Sequence, residues 1–166
     1  SLAAGYNNIA ILYRNRLDLP QALEKYEQSL EMQDAAGLAP RHPNRSFPTA
    51  GKGSVYLLMG RYDEAISTYE EALDLRREHF DEDHVLISEI KSDLGAVWLE
   101  QERYAEAEAQ LLEVYGRFSE QRGMEDSRTR RAAGRLVMLY ERLGDASRAD
   151  EYRDAAFAPD EDVMLR

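Results

Sequence analysis

The sequence has no cysteine among its 166 residues, and this absence excludes disulfide bonds, thiolate catalysis and cysteine-ligated metal sites. No apolar run approaches the length of about 20 residues that a membrane-spanning helix needs, and no signal peptide is visible. We therefore expect a cytoplasmic chain without a membrane anchor. The sequence begins with Ser1 rather than Met, so one interpretation is a trimmed piece of a longer protein.

Positive charge is in the minority, because 32 acidic side chains outweigh 21 basic ones and leave a formal net charge of −11. Nucleic acids and anionic membranes are themselves negatively charged, so we expect neither as a partner. Lysine is scarce, and most of the basic residues are arginine. Arginine recognises planar carboxylate and phosphate groups better than lysine does, although a GC-rich genome explains the same bias equally well.

Proline is rare and the strong helix formers Ala, Leu, Glu and Arg are abundant, which favours an all-helical chain. The apolar fraction of 43% is enough for a packed core and argues against global disorder. Residues 60–75 read GRYDEAISTYEEALDL, in which apolar side chains fall three or four positions apart. That spacing predicts a helix with one buried face.

This helix belongs to a unit that recurs along the chain. Its central alanine has counterparts at steps of 43, 42 and 42 residues: Ala22, Ala65, Ala107 and Ala149. Nine positions earlier every unit has an aromatic residue: Tyr13, Tyr56, Trp98 and Tyr140. Twelve positions earlier the residue is small in three units of the four: Ala10, Gly53, Gly95 and Val137. Five positions earlier, at the predicted turn, the units have Leu17, Gly60, Glu102 and Gly144.

Each unit predicts an antiparallel pair of helices, because small residues let two helices approach and a turn glycine ends the first helix. We expect first helices near 3–16, 46–59, 86–101 and 127–142, and second helices near 20–36, 62–79, 104–121 and 146–157. One pair cannot bury its apolar faces alone, whereas four stacked pairs can, as a solenoid. The predicted units are about 3–43, 44–85, 86–127 and 128–158, in a repeat domain 1–158 followed by a tail at 159–166.

These residues resemble the tetratricopeptide repeat, whose turn and second helix GRYDEAISTYEEALDL matches closely. The long period, the opening NNIAILY (7–13) and the loop sequence RHP (41–43) are similar to the kinesin-light-chain type of the repeat. The sequence RREHFDEDH (76–84) also resembles repeats that follow the kinase domain in bacterial serine/threonine kinases. The resemblance implies a right-handed α-solenoid that binds proteins or peptides, with no catalytic activity and no cofactor.

Three residues depart from the family pattern. Lys52 stands where an apolar core residue is usual, and Glu102 replaces the turn glycine of the third unit. Arg153 replaces an aromatic residue in the fourth unit, as an end unit with a wet outer face would allow. The stripe of Val55, Leu58 and Met59 is expected in the core.

In this family the first helix of each pair lines a concave groove, and the resemblance implies the ligand-contacting positions. They are Asn7, Asn8, Ile11, Arg14 and Asn15 in the first unit, Gly51, Ser54 and Leu57 in the second, Asp93, Ala96 and Glu100 in the third, and Arg131, Arg135, Met138 and Arg142 in the fourth. Asparagine is disfavoured inside helices because its side chain competes for backbone hydrogen bonds. Asn7 and Asn8 therefore suit a clamp on the backbone of an extended peptide, and a solvated helix surface is the alternative.

The fourth unit carries a local reversal of charge. Four arginines, called the arginine stripe below, share one helix face by three- and four-residue spacing: Arg128, Arg131, Arg135 and Arg142. Arg130 adds to the charge, and Glu141 is the only acid between 127 and 142. The stripe suits an acidic or phosphorylated segment, or else pairs with acids on the second helix of a neighbouring unit.

Other motifs indicate no catalytic or metal site. Residues 50–54, AGKGS, lack the contiguous Gly-Lys-Ser/Thr of a phosphate loop. Residues 78–84 contain two histidines and several acids without the spacing of a known metal site. The three histidines lie in loops, and no Ser/His/Asp set can be assembled from them.

The sequence therefore predicts a non-catalytic scaffold that binds a protein or peptide, including an acidic or extended segment. The alternative is a regulatory or sensor segment of a larger bacterial signalling enzyme such as a serine/threonine kinase. A homodimer is a further possibility, because solenoid ends expose apolar faces unless they are capped. Two groups of residues would serve it, namely Gly5, Tyr6 and Ile9 at the front and Phe157, Val163, Met164 and Leu165 at the back.

Overall fold

The computed structural model describes residues Ser1–Phe157, and over this range the chain is made of α-helices and one short 3-10 helix. In chain order the pairs are α1 (Leu2–Asn15) with α2 (Leu19–Ala35), α3 (Ser46–Leu58) with α4 (Tyr62–Arg77), α5 (Val85–Glu100) with α6 (Tyr104–Arg122), and α7 (Ser127–Arg142) with α8 (Ala146–Phe157). The 3-10 helix, Pro43–Arg45, precedes α3. The expected fold of antiparallel helix pairs is confirmed, and each expected helix end lies within two residues of the observed one.

The chain divides into two compact units, and the division falls inside α5. Unit 1 is Ser1–Asp93, and unit 2 runs from Leu94 to the end of the chain. In unit 1, α1 packs on α2, α3 packs on α4, and α2 and α3 are in contact. In unit 2, α7 packs against both α6 and α8. None of the helices within Ser1–Phe157 is long and apolar enough to cross a membrane.

The repeat landmarks form the core of each unit. All four landmark alanines, Ala22, Ala65, Ala107 and Ala149, are fully buried. In unit 1, Ala22 clusters with Ala10, Tyr26 and Val55. In unit 2, the largest fully buried side chains include Phe118 and Leu136. The alanines that recur at each repeat step in the sequence are therefore residues that pack in the core.

The turn inside each helix pair has the same conformation in all four units. The turn residues have positive φ angles, at 59° for Leu17, 72° for Gly60, 59° for Glu102 and 72° for Gly144. The next residue donates its backbone N–H to the carbonyl of the aromatic landmark: Asp18 to Tyr13, Arg61 to Tyr56, Arg103 to Trp98 and Asp145 to Tyr140, at 2.9–3.0 Å. This bond and the left-handed residue are the features of a Schellman helix end.

The junctions between pairs also repeat, at positions 42, 84 and 126. A side chain there accepts the backbone N–H two residues later: His42 Nδ1 from Asn44 at 3.2 Å, His84 Nδ1 from Leu86 at 3.2 Å, and Asp126 Oδ1 from Arg128 at 2.8 Å. Each bond satisfies an N–H that the start of a helix would leave without a partner. The positions of His42 and His84 are thus explained by capping.

Two of the predicted small residues mark close approaches between helices. A Cβ placed on Gly53 would lie 2.9 Å from ring carbons of Tyr69, and one on Gly95 would lie 2.8 Å from a methyl carbon of Leu111. In unit 1 the pair is α3 with α4, and in unit 2 it is α5 with α6. Glycine is required here because the partner side chain occupies the space of the missing methyl group.

The core assignment of the stripe at 55–59 was wrong for one residue. Val55 is fully buried and Met59 packs partly against the core, but Leu58, the last residue of α3, is 51% exposed. The unusual Lys52 is half-buried and its Nζ lies 3.3 Å from Glu27 Oε1, so its charge is paired across the α2–α3 contact. Arg153 is exposed, as expected for a wet outer face.

Candidate functional site

Unit 1 contains a cleft of about 240 Å³ between its first helices, called the unit 1 cleft below. Its lining comes from α1 (Asn7, Ile11, Arg14), α3 (Phe47, Ala50, Gly51, Ser54) and the first half of α5 (Glu89, Ile90, Asp93), with Tyr26 of α2 and Arg76 of α4 behind them. The second helices α2 and α4 contribute one residue each. The arrangement presents a mixed polar and apolar surface.

The unit 1 cleft brings together six positions expected from the sequence: Asn7, Ile11, Arg14, Gly51, Ser54 and Asp93. Two other expected residues of α1 are outside its lining. Asn8 is exposed, and Asn15 is exposed with its Oδ1 accepting a hydrogen bond from Arg14 Nη2 at 3.4 Å. Leu57 is half-buried and also lies outside the lining.

A buried arginine supports one wall of the cleft. Arg76 is 3% exposed, donates from Nε to Ser46 Oγ at 3.2 Å, and also donates to the carbonyl of Leu86. Its guanidinium lies 3.6 Å from Glu89 Oε2. Burial lowers the pKa of Arg76, and the charges of Glu89 and Asp93 oppose that shift. The guanidinium keeps its charge, because arginine is not deprotonated in proteins.

Two side-chain oxygens at the unit 1 cleft are buried without a hydrogen-bond partner among the described residues. They are Asn7 Oδ1 and the hydroxyl of Tyr26. Burial raises the pKa of Tyr26, and the charge of Arg14 partly opposes this. By contrast, the hydroxyl of Tyr69 lies 3.0 Å from Ser54 Oγ. A buried polar atom without a partner costs free energy that a ligand or a water molecule can recover.

Sequence reasoning did not identify Tyr26 as a lining residue of the cleft. Tyr26 is 1% exposed, so it is also part of the core. An alignment of the repeats could have indicated this role of Tyr26. Tyr26 and Tyr69 occupy the same position in successive units, but Ser54, the partner of Tyr69, corresponds to Ile11 in the first unit, which cannot form a hydrogen bond.

The arginine stripe lies in unit 2 and is described there by itself. Arg142 donates from Nη1 to the carbonyl of Leu99 and from Nη2 to Glu100 Oε1, both at 2.8 Å. It therefore ties α7 to the end of α5, a first helix, whereas the sequence suggested pairing with a second helix. Arg128 lies 3.7 Å from Asp126.

The middle of the stripe differs from its ends. Arg131 is exposed, and among residues 1–157 no hydrogen bond or ion pair of its side chain is present. Arg135 is half-buried and has a partner, and Met138 between the arginines is 44% exposed. Ala96, the remaining expected position, is half-buried in α5.

A larger and mostly apolar cavity of about 520 Å³ lies where α1 begins and α2 ends. Its lining includes Ala3, Met32, Ala36 and Pro48 together with Gln33, whose Oε1 is buried without a partner among the described residues. No motif in the sequence indicated this cavity. Its walls combine the end of one helix with the starts of two others, which only the packing brings together.

The motifs that resembled phosphate or metal sites have structural explanations. Residues 50–54 lie inside α3, so they form helix and not a phosphate-binding loop. His84, in the segment 78–84, caps α5 through Nδ1 and stacks on Phe80 with ring centroids 4.3 Å apart. Within the described part of the chain, no three histidine or carboxylate side chains are clustered so that they could hold a metal ion.

A family model of the tetratricopeptide repeat matches residues 1–78 and 46–120 of the sequence. These matches span more than half of the chain, so the protein belongs to the tetratricopeptide repeat family. Such domains generally bind proteins or peptides and are typically non-catalytic. No curated protein matches the sequence.

Solved structures show the same fold. BtubC (BKLC) from P. vanneervenii matches with a TM-score of 0.71 and 25% identity, over 90% of this chain and 58% of that chain. A putative kinesin light chain with nearly identical TPR-like repeats, from Podosopora anserina, matches with a TM-score of 0.74 and 19% identity, over 93% of this chain and 73% of that chain. In fold the repeats are therefore kinesin-light-chain-like, and the chain spans 58% of the length of the BtubC structure.

Proposed function

We propose that the protein is a non-catalytic scaffold that holds an extended protein segment in the unit 1 cleft. The observation that carries this proposal is the convergence of Asn7, Ile11, Arg14, Ser54 and Asp93 on that one cleft. Asn7 supplies a buried acceptor without a partner among the described residues, which suits the N–H of a peptide backbone. Ile11 supplies apolar contact, and the charges of Arg14 and Asp93 suit a segment of mixed polarity.

The experiment uses two asparagines of the same helix as a matched pair. A displayed library of seven-residue peptides is selected against the chain, and affinities of the selected peptides are measured by fluorescence anisotropy. Asn7→Leu removes the acceptor in the cleft and should weaken binding about fivefold, the effect of one hydrogen bond. Asn8→Leu changes an exposed residue outside the lining and should leave the affinity unchanged. Equal affinity of both variants and the wild type would contradict the proposal.

A preference for acidic segments is a finer proposal, and it rests on two exposed residues of α7 in unit 2, Arg131 and, two helical turns later, Met138. The residues proposed for it are Arg131, Arg135 and Met138, whereas Arg142 is already held by Leu99 and Glu100. Arg131→Glu should then abolish selection of acidic peptides. The matched control is Arg153→Glu on the exposed side of α8. Unchanged selection by Arg131→Glu would remove this part of the proposal.

A second candidate function is a regulatory or sensor segment of a larger bacterial signalling enzyme such as a serine/threonine kinase. It is supported by the resemblance of residues 76–84 to repeats of such kinases. In the structure this segment contains the buried Arg76 and the capping His84, so it also has a structural role. The full-length gene product tests the candidate, since a catalytic domain on the same chain supports it and a chain of repeats alone contradicts it.

Self-association through exposed apolar side chains is also a proposal. Ile9 is 42% exposed and Phe157 is 69% exposed, while Val163, Met164 and Leu165 lie outside the described residues. The solution mass by light scattering should rise with concentration for the wild type and stay at one chain for Ile9→Glu. A wild-type mass of one chain at every concentration contradicts dimerisation. Nucleic acid and membranes stay excluded from the proposed partners, and the cytoplasmic location stays a prediction.

A further inference from the structure

The first two repeats have a buried tyrosine at the same repeat position, but the two hydroxyl groups differ in their hydrogen bonding. Tyr26 and Tyr69 are each about 1% exposed and lie 43 positions apart, one repeat step. The hydroxyl of Tyr69 has Ser54 Oγ at 3.0 Å. The residue of the first repeat that corresponds to Ser54 is Ile11, and the hydroxyl of Tyr26 has no partner among the described residues. One substitution between repeats has thus left a buried hydroxyl unsatisfied.

The neighbouring helix α3 approaches the Tyr26 ring closely at Gly51. A Cβ on Gly51 would lie 2.3 Å from the Tyr26 carbons Cε1 and Cζ and 2.8 Å from the hydroxyl oxygen. Any larger residue at position 51 would displace the tyrosine ring. The absence of a side chain at Gly51 therefore allows the Tyr26 ring to occupy this position, and both residues belong to the lining of the unit 1 cleft.

The surrounding charges indicate what the hydroxyl would bind. The guanidinium of Arg14 acts on the Tyr26 hydroxyl electrostatically and lines the same cleft. A nearby cation favours an electronegative atom of a ligand. Asn7 Oδ1, the other oxygen without a partner, can only accept a hydrogen bond. A peptide unit has one group for each, because its N–H donates and its carbonyl oxygen accepts.

We propose that Tyr26 is a specificity-determining residue of the unit 1 cleft, whose hydroxyl donates a hydrogen bond to a carbonyl oxygen of the bound extended segment. The inference rests on the proposed function, since it assigns a further contact to the same cleft. It adds a residue from a second helix to the contacts proposed for the bound segment, which otherwise come from first helices. The free protein keeps a destabilising hydroxyl there, as binding sites commonly do.

The first test needs no ligand and uses the two tyrosines as matched variants. Tyr26→Phe removes a hydroxyl without a partner, so the midpoint of thermal unfolding should rise by about 2–6 °C. Tyr69→Phe breaks the contact with Ser54, so its midpoint should fall by about 2–4 °C. If Tyr26→Phe lowers the midpoint as Tyr69→Phe does, the hydroxyl is already satisfied in the free protein and the inference is overturned.

The second test measures binding of peptides selected from the displayed seven-residue library. Tyr26→Phe should weaken the selected peptides about fivefold and Tyr69→Phe should not. Peptides in which each carbonyl in turn is reduced to a methylene should contain one position whose reduction weakens wild-type binding but has no further effect on Tyr26→Phe. Binding that depends on Asn7 but not on Tyr26 overturns the inference and leaves the proposed function standing. Binding that depends on neither residue overturns both.

Discussion

Leu17 and Glu102 show at the scale of single residues how strongly the repeat controls the backbone. Both adopt a φ of 59°, in the region that the glycines of the other two turns occupy at 72°. A side chain with a Cβ is disfavoured there by about 1 kcal/mol or more. The helix-ending hydrogen bonds and the packing of the two helices overcome this preference, so the turn forms without its usual glycine.

Replacing either residue by glycine should therefore stabilise the protein. We expect Leu17→Gly and Glu102→Gly each to raise the free energy of unfolding by about 0.5–1 kcal/mol, since relief of the left-handed strain exceeds the added entropy of the unfolded chain. Urea unfolding followed by circular dichroism measures the effect. Gly144→Ala is the reverse change and should destabilise; a destabilised Leu17→Gly would contradict this explanation of the turn.

A single carboxylate gives unit 1 a pH-dependent contribution to stability. Glu82 Oε1 lies 2.6 Å from Lys91 Nζ, and both its oxygens lie 3.1 Å from nitrogens of Arg77. Hydrogen bonds from Arg77 and Lys91 hold the pKa of Glu82 at about 2, below the value near 4.3 of an unfolded chain. A lowered carboxyl pKa stabilises the folded state above pH 4.3, and this contribution is lost as the pH falls towards 2.

The variant Glu82→Gln should consequently be less stable than the wild type at neutral pH, and the difference should shrink between pH 4.5 and 2. The difference in melting temperature between the two proteins, measured at a series of pH values, checks this. Glu82 is half exposed, so solvent screening keeps the effect small. A difference that is constant with pH would show that the two cations do not stabilise the ionised carboxylate.

At the scale of helices, two glycines within helices have different surroundings, and only one of them is needed for the packing of a helix pair. Gly53 faces the ring of Tyr69 at a distance that leaves no room for a methyl group. Gly116 lies on an exposed part of α6 with nothing within 4 Å of the position its Cβ would take. One glycine is needed for packing, and the other only lowers the stability of its helix.

Alanine substitutions at these two glycines should have opposite effects. Gly53→Ala should destabilise by about 1–3 kcal/mol, because the methyl group forces the Tyr69 ring to move within a packed core. Gly116→Ala should stabilise by about 0.5–1 kcal/mol through better helix propensity. Thermal unfolding of both variants provides the comparison. A destabilised Gly116→Ala, or a neutral Gly53→Ala, would mean that the helices do not meet as described.

The positions of the helices could be predicted from the sequence because the same pattern of residues recurs in all four helix pairs. The landmark alanines, the aromatic residues nine positions before them and the turn residues are set by helix pairing, which is local. The exposure of Leu58 could not be predicted, because it depends on where α3 ends relative to its neighbours. The partner of Arg142 was missed for a similar reason, as it lies on α5, 42 residues away.

Tyr26 was predictable from the sequence in one respect and not in another. Its burial follows from its landmark position, but the state of its hydroxyl depends on the residue that faces it from another helix. A position-by-position comparison of the repeats aligns Ile11 with Ser54. This alignment shows in the sequence that the hydroxyl of Tyr26 lacks the partner that Tyr69 has. Such a comparison finds a site where one repeat departs from the others, whereas motifs common to all repeats report only the fold.

For the molecule as a whole, the fold and the net charge restrict the classes of partner that the protein can bind. The chain belongs to a family of protein-binding repeats, and its net charge of −11 disfavours polyanions. We propose two alternative binding surfaces: the unit 1 cleft, and the exposed arginine and methionine on α7 of unit 2. They call for ligands of different chemistry, an extended peptide backbone in the first case and an acidic segment in the second.

Mapping a selected peptide on the chain by two-dimensional ¹H–¹⁵N NMR tests the central claim most directly. Increasing amounts of the peptide are added to labelled protein, and the shift of each backbone amide is followed. The account predicts the largest shifts at Asn7, Ile11, Gly51 and Ser54, all in the lining of the unit 1 cleft. Shifts confined to unit 2, around Arg131 and Met138, would contradict it.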